Sequence, residues 1–317
     1  MKEGRSYVSK ILVFGHQNPD TDTITSAISM AYLQNKLGKE AEAVALGEVG
    51  EETQFALDYF KVDAPRVVTE VSTETDQVML VDHNEFQQSA TDIEQVEILA
   101  VVDHHRVANF QTANPLYYRA EPVGCTNTII LKMFKENNIE IPTDIAGLML
   151  SAIISDTLLF KSPTGTKEDE AAAKELAEIA GVDMDVYGLD MLKAGTNIDS
   201  KSVEDILEDD GKSFPMGDKL VRIGQVNVVD TQDVLKRKED ILTVMREQNL
   251  SEGYDLFILL VTDILESTSI AIVEGSPVNA VEVAFGQTLE DDLLNLPGVI
   301  SRKKQVVPQL TNVLENV

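Results

Sequence analysis

The chain has 317 residues with 54 acidic against 26 basic side chains, a formal charge of −28, and a field of that sign repels polyanions and argues against nonspecific nucleic-acid binding. Hydrophobic residues make up 43% and charged residues 25% of the chain, the balance of a globular protein, which excludes a disordered or fibrous one. The length exceeds the roughly 250 residues that one hydrophobic core ordinarily fills, so two domains are expected.

Residues 1–9 precede an apolar run too short for a signal-peptide core or a spanning helix, so we expect neither export nor a membrane partner, and a cytoplasmic location. Residues 10–14 read as a strand and 23–37 as an amphipathic helix. Further strands are expected at 41–45, 77–81 and 96–102, with a helix at 52–59. Helical patterns follow at 124–135, 144–154 and 167–179. Periodicity fades over 187–201, and Ser200 and Ser202 then open a new helix at Val203. Beyond lie strands at 219–228, 256–261 and 269–273, a charged helix at 232–248 and a closing helix after Gln305. The expected fold class is α/β in two domains. A larger N-terminal domain, 1–190, has a mostly parallel sheet with helices on both faces. A linker covers 191–200, and a smaller mixed α/β domain covers 201–317.

Histidine occurs at His16, His83, His104 and His105 alone, each beside aspartates at the end of a predicted strand. Loops at the carboxyl ends of parallel strands form ligand crevices, so these residues can converge. The first cluster is His16-Gln-Asn-Pro-Asp20-Thr-Asp22, where Asp22 also fits the N-cap of the following helix. The second is Asp82-His83-Asn84 and the third Asp103-His104-His105. Aspartate and imidazole donors without a thiolate cluster suit Mn²⁺, Co²⁺ or Mg²⁺ and accommodate Zn²⁺. Asp156 follows an apolar helix, where a plain polar helix end explains it equally well. Arg302-Lys303-Lys304 taken alone is an ordinary solvated run. The single cysteine, Cys125, permits no internal disulfide and reads as a small buried residue. Neither a Gly-x-x-x-x-Gly-Lys-Ser/Thr loop nor a Gly-x-Gly-x-x-Gly fingerprint follows a strand, which argues against a nucleotide-binding module.

The order His-x-Asn-Pro-Asp-x-Asp, Asp-His-Asn, Asp-His-His resembles the DHH phosphoesterase superfamily. With Pro122-Val-Gly-Cys-Thr126, Ser151-Ala-Ile-Ile-Ser-Asp156 and Ser301-Arg-Lys-Lys-Gln305, the resemblance narrows to family II inorganic pyrophosphatases along essentially the whole chain. That resemblance implies hydrolysis of pyrophosphate to two phosphates by a metal-bridged hydroxide. It implies two Mn²⁺ per subunit, with Co²⁺ or Mg²⁺ as substitutes and a further Mg²⁺ arriving with the substrate. His16, Asp20 and Asp82 would hold one ion and Asp22, Asp82, His104 and Asp156 the other, with Asp82 bridging. His105, Lys212, Arg302 and Lys303 would face the substrate, the last three from the second domain, so that closure across the linker assembles the site. It also implies a homodimer formed through the first domain.

Asp103 then reads as an acid that orients an imidazole, and His83 as its partner in that network or a packed core residue. Another phosphoesterase of the superfamily, acting on oligonucleotides or cyclic dinucleotides, is the main rival. The chain has no histidine after His105 and no tryptophan, which weighs against it. A protein that only stores metal would not need Arg302 and Lys303.

Overall fold

The computed structural model describes residues 10–208 and 211–316. The reading of no export signal falls on residues 1–9, outside the described residues, as do Asp209 and Asp210, just before Lys212, and Val317. The chain divides into two compact units, one ending at Gly195 and one beginning at Thr196.

The first unit runs β1 (Ile11–Phe14), α1 (Thr21–Lys36), β2 (Ala41–Ala43), α2 (Glu51–Phe60), β3 (Gln77–Val81), β4 (Glu97–Asp103), β5 (Tyr117–Ala120), α3 (Thr126–Glu136), α4 (Thr143–Thr157), α5 (Lys167–Ala180) and α6 (Met184–Gly195). Its strands pair in the order β2-β1-β3-β4-β5, all parallel. The four residues of β1 are all buried, as expected of a strand covered on both faces. Because side chains alternate, Leu12, Phe14, Val78 and Leu80 share one face with Val68, Val71 and Ile93. That face is closed by irregular segments and by two 3₁₀ turns, Phe86–Gln88 and Ile93–Gln95. The other face carries α1 and α3, with α4 packed behind them and α5 behind α4. Helix α4 is apolar almost all round, with every residue from Ile145 to Ile154 buried, the pattern of a helix inside a core.

The structure corrects the reading of Asp22 as a cap. Helix α1 starts two residues earlier than its apolar pattern suggests, Asp20 is the N-cap, and its Oδ1 accepts the Thr23 N–H at 2.9 Å. Asp22 is buried inside the first turn, free of capping duty. Helix α6 continues to Gly195, so the first part of the stretch read as linker is helical.

The second unit runs α7 (Val203–Glu208), β6 (Lys212–Met216), β7 (Lys219–Val228), α8 (Gln232–Leu235), α9 (Lys238–Glu252), β8 (Leu256–Asp263), β9 (Thr268–Gly275), α10 (Val278–Phe285), β10 (Leu293–Pro297) and α11 (Val307–Glu315). Its mixed sheet has the order β10-β9-β8-β7-β6, with β7 and β8 parallel and the other neighbours antiparallel. Central strand β8 is buried from Leu256 to Thr262 and feeds two cores. Phe257, Leu259 and Val261 pack with Ile206, Val234, Ile241 and Met245 on one face. Ile258 and Leu260 pack with Ala280, Val281, Leu310 and Leu314 on the other. The expected single helix over 232–248 is two helices, broken between Leu235 and Lys238. Among the described residues, no helix is long and apolar enough to cross a membrane.

Candidate metal centre

In the first unit, the strand ends that carry the histidine motifs converge. Immediately after β1, Gly15 leaves room for α1: a Cβ there would lie 2.5 Å from Thr23 Cγ2. Thr23 can therefore donate through Oγ1 to Asp82 Oδ2 at 2.7 Å. Asp82 follows β3 with φ +57°, a left-handed conformation that a short polar side chain tolerates better than most. Its backbone N–H donates to Val102 O at 3.0 Å, which fixes the turn against β4.

Asp82 is the centre of the cluster and is 1% exposed. His16 Nε2 lies 3.5 Å from its Oδ2 and 3.4 Å from Asp20 Oδ2. His104 Nε2 lies 3.4 Å from Asp82 Oδ1 and 4.0 Å from both Asp22 Oδ2 and Asp156 Oδ2. His104 Nδ1 sits 3.1 Å from Val123 O; donation to that carbonyl turns Nε2 toward the carboxylates. Three groups have donor atoms within 4.8 Å of one another: His16, Asp20 and Asp82; Asp82, His104 and His105; Asp22, Cys125 and Asp156. All six residues expected as metal ligands are thus brought together. A cleft of about 500 Å³ opens on Asp20, Asp82, His104, His105, Arg106 and Asp156.

The electrostatics call for cations. Burial would lower the His16 imidazole, but its bonds to Asp20 and Asp82 outweigh that and raise it to about 10. Burial likewise opposes, and Asp82 and Asp22 raise, His104, which reaches about 9. Burial and the Asp82 charge lift Asp22 to about 6. Burial, then the charges of Asp22 and Asp82, push Asp156 well above the carboxylate range. Against its own burial, Asp82 is held low by His104 and His16. In the metal-free chain, protons therefore neutralise this cluster, and divalent ions would do the same work. The buried Asp156 Oδ2 accepts no hydrogen bond, as an oxygen reserved for an ion would. Oxygen and imidazole donors fit Mn²⁺.

Around these groups lies a set of partners to which the sequence reading gave no role. Asp22 Oδ2 accepts the Thr126 N–H at 2.7 Å, and its Oδ1 accepts from Ser26 Oγ and Asn127 Nδ2. Thr126 Oγ1 lies 3.2 Å from Asp82 Oδ1. Thr126 was within sight, inside the Pro-Val-Gly-Cys-Thr motif. Asp103 orients His105 as expected: its Oδ1 lies 3.0 Å from both the ring Nδ1 and the backbone N of His105. Its Oδ2 accepts from Asn84 Nδ2 at 2.6 Å, which accounts for Asn84 in the second motif. His83 is buried, with Nδ1 2.9 Å from Val81 O and its ring 6.2 Å from Phe14, a packed arrangement.

The second unit holds the remaining expected residues. Lys212 is exposed at the start of β6, opposite Ile223 of β7, and Ile223 O is 3.4 Å from Arg302 Nη1. Lys212 and Arg302 therefore both lie beside Ile223, midway along β7. Arg302 is 6% exposed, whereas Lys303 and Lys304 are exposed. The strap that carries them is tied down by Gln225, whose Oε1 accepts the Arg302 N–H at 3.0 Å while its Nε2 donates to Ile300 O at 3.0 Å.

Known proteins resemble the chain along nearly its whole length. Residues 10–153 match the model of the DHH family N-terminal domain, and residues 189–313 match the DHHA2 domain. The chain is 64% identical over 306 residues to a protein of Enterococcus faecalis named a probable manganese-dependent inorganic pyrophosphatase, covering 96% of this chain and 99% of that one. It is 59% identical over 307 residues to the manganese-dependent inorganic pyrophosphatase of Bacillus subtilis, covering 97% and 99%. A solved structure from Methanococcus jannaschii, assigned to family II inorganic pyrophosphatases, superposes with a TM-score of 0.61 at 42% identity, covering 95% of this chain and 98% of that one. The chain belongs to the manganese-dependent inorganic pyrophosphatases, a hydrolase family built from a DHH domain followed by a DHHA2 domain.

Proposed function

We propose that this chain hydrolyses inorganic pyrophosphate to two phosphates, and that Asp82, shared between two clusters of metal-donor side chains, is the observation that carries the reading. His16, Asp20 and Asp82 would hold one Mn²⁺, and Asp22, Asp82, His104 and Asp156 the other, with Co²⁺ or Mg²⁺ able to substitute. Bound there, two divalent ions offset the negative charge of the substrate and make water acidic enough to serve as a nucleophile near neutral pH. The overall charge of −28 repels a tetra-anion, so binding has to be local. Lys212, Arg302 and Lys303 supply that local charge and orient the phosphates, and a further Mg²⁺ accompanies the substrate. His105 keeps its Nδ1 on Asp103, a bond that raises the ring above an ordinary histidine and leaves Nε2 to donate a proton to a phosphate oxygen. One water is consumed, one P–O bridge bond breaks, and both products leave as phosphate.

Two further features belong to the same reading. Strand β5 is an edge of the first unit's sheet, with one row of backbone groups open to pairing, which suits a homodimer formed through this unit. A chain whose single cysteine is buried gains nothing from an oxidising compartment, which accords with work in the cytoplasm. The test is phosphate release by metal-stripped protein refilled with Mn²⁺, with pyrophosphate, a short oligonucleotide and a cyclic dinucleotide assayed side by side. Rapid release from pyrophosphate alone is expected. Preference for either nucleotide would overturn the assignment.

A further inference from the structure

We infer that Glu52, which none of the metal-binding motifs contains, is a positioning residue that locks the two halves of the metal centre together through one carboxylate oxygen. The inference rests on the two-cluster reading of the site. Glu52 lies in the first turn of α2, yet it makes no cap for that helix: the N-cap is Gly50, without a side-chain bond. Its carboxylate turns instead toward two other helices. Thr21 Oγ1 donates to Glu52 Oε1 at 2.7 Å, and Ser155 Oγ donates to the same oxygen. Thr21 stands between Asp20 and Asp22 at the start of α1, and Ser155 immediately precedes Asp156 in the last turn of α4. One atom therefore joins the backbone segments that present three of the six ligands, although those segments are separated by more than a hundred residues of chain.

The surroundings keep that atom in place. Thr21 Oγ1 also lies 3.1 Å from Thr53 Oγ1, the residue next to Glu52. On the far side, the carboxylate is backed by Gly195 at the end of α6, where a Cβ would come within 2.7 Å of Glu52 Cβ and 3.0 Å of Oε2. The side chain is thus wedged between α1, α4 and α6, with its position set by packing and its hydrogen bonds set by two hydroxyls. Outer partners of metal ligands act in this way, by holding donor atoms at their working separation. Glu52 is half-buried, and that burial is the first cause raising its carboxyl, against the opposing bonds from Ser155 and Thr21.

The experiment uses the whole chain and Mn²⁺ itself, titrated into metal-stripped protein and followed by electron paramagnetic resonance, with thermal unfolding of the metal-free forms as the control. Glu52→Ala should weaken Mn²⁺ binding by about 10- to 100-fold, the usual effect of losing an outer partner. Glu52→Gln keeps a carbonyl oxygen able to accept both hydroxyls and should restore binding to within about threefold. Thr21→Val and Ser155→Ala should each weaken binding in the unsubstituted background and add nothing to Glu52→Ala, since both act through the same atom. Unchanged Mn²⁺ affinity in Glu52→Ala would overturn the inference, as would a Glu52→Gln protein that folds but binds no better than Glu52→Ala. A Ser155→Ala effect that persists without Glu52 would do the same. Failure of the unsubstituted protein to bind Mn²⁺ would instead overturn the metal-site reading on which the inference rests.

Discussion

At the scale of single residues, the metal centre is a problem of crowded charge. Asp22, Asp82 and Asp156 are brought within reach of one imidazole, and in the metal-free chain protons hold the cluster together. His16 and His104, at about 10 and about 9, are raised above the roughly 6.5 of an unfolded histidine. A raised histidine stabilises the fold fully below its unfolded value and loses that contribution as pH climbs through the folded one. Metal-stripped protein should therefore melt at progressively lower temperature between about pH 7 and pH 10, and Mn²⁺-loaded protein much less so, because the ions replace the protons. Binding at pH 7 should release at least two protons per chain, one from each imidazole, with the raised Asp156 carboxyl adding to them, which calorimetry in buffers of different ionisation enthalpy reads directly. Zero release would show that these imidazoles are already neutral. The side chains of the candidate site and their clustering at strand ends were legible in the sequence, because chemistry of this kind is written in short motifs. The cap fell to Asp20 and not to Asp22, since both have the short oxygen that a cap requires and only the actual start of α1 decides between them. Glu52 was invisible: its partners Thr21 and Ser155 are hydroxyls far away in the chain, and nothing local distinguishes it from Glu51.

At the scale of elements, regular patterns were readable and compromises were not. Helix α5 follows apolar periodicity, α4 and strands β1, β3 and β4 are apolar runs, and with α3 they were expected close to their observed bounds. Strand β5 has no fully buried residue, and β6 contains Pro215 at a sheet edge, so neither shows the alternation or the apolar run that identifies a strand. The break between α8 and α9 leaves no proline or glycine in the sequence to mark it. One element contact carries a prediction. Asp169 closes the capping box of α5 with Thr166, and it is fully buried. Its Oδ2 also accepts the Gly124 N–H at 2.8 Å, and its Oδ1 accepts from Thr128 Oγ1 at 2.6 Å. A helix cap thus pins the turn ahead of α3, and the neighbouring Val123 carbonyl orients His104. Asp169→Ala would remove the cap and strand buried donors, at a cost of about 3 kcal/mol. A fall of roughly 6–12 °C in melting temperature is expected, with weaker Mn²⁺ binding as the accompanying sign that His104 has lost its support. A melting point within a degree of the unsubstituted protein would show that water satisfies those donors.

At the scale of the molecule, the chain forms two units with separate cores. Length alone suggested two domains, and the loss of periodicity after Tyr187 suggested where the first one ends. Helix α6 hides the boundary, because its final turn is still helical through Gly195 while its sequence is already losing apolar spacing. Composition argued against nonspecific nucleic-acid binding but could not indicate pyrophosphate; that came from motifs spread over both units. All six expected metal ligands belong to the first unit, and the expected phosphate-binding cations Lys212, Arg302 and Lys303 to the second. A ligand that binds only the folded form stabilises what it binds by about 2.7 kcal/mol at a hundred times its dissociation constant. For a unit of this size that corresponds to about 5–10 °C for one occupied site. Differential scanning calorimetry of metal-stripped protein should therefore resolve a transition that Mn²⁺ moves upward, assigned to the first unit, and a second that Mn²⁺ leaves in place. Adding a nonhydrolysable pyrophosphate analogue on top of Mn²⁺ should then move the second transition as well, because the cations of the second unit would now be occupied. If Mn²⁺ alone shifted both transitions equally, the two units would unfold as one cooperative body, and the division of labour between them would have no thermodynamic counterpart.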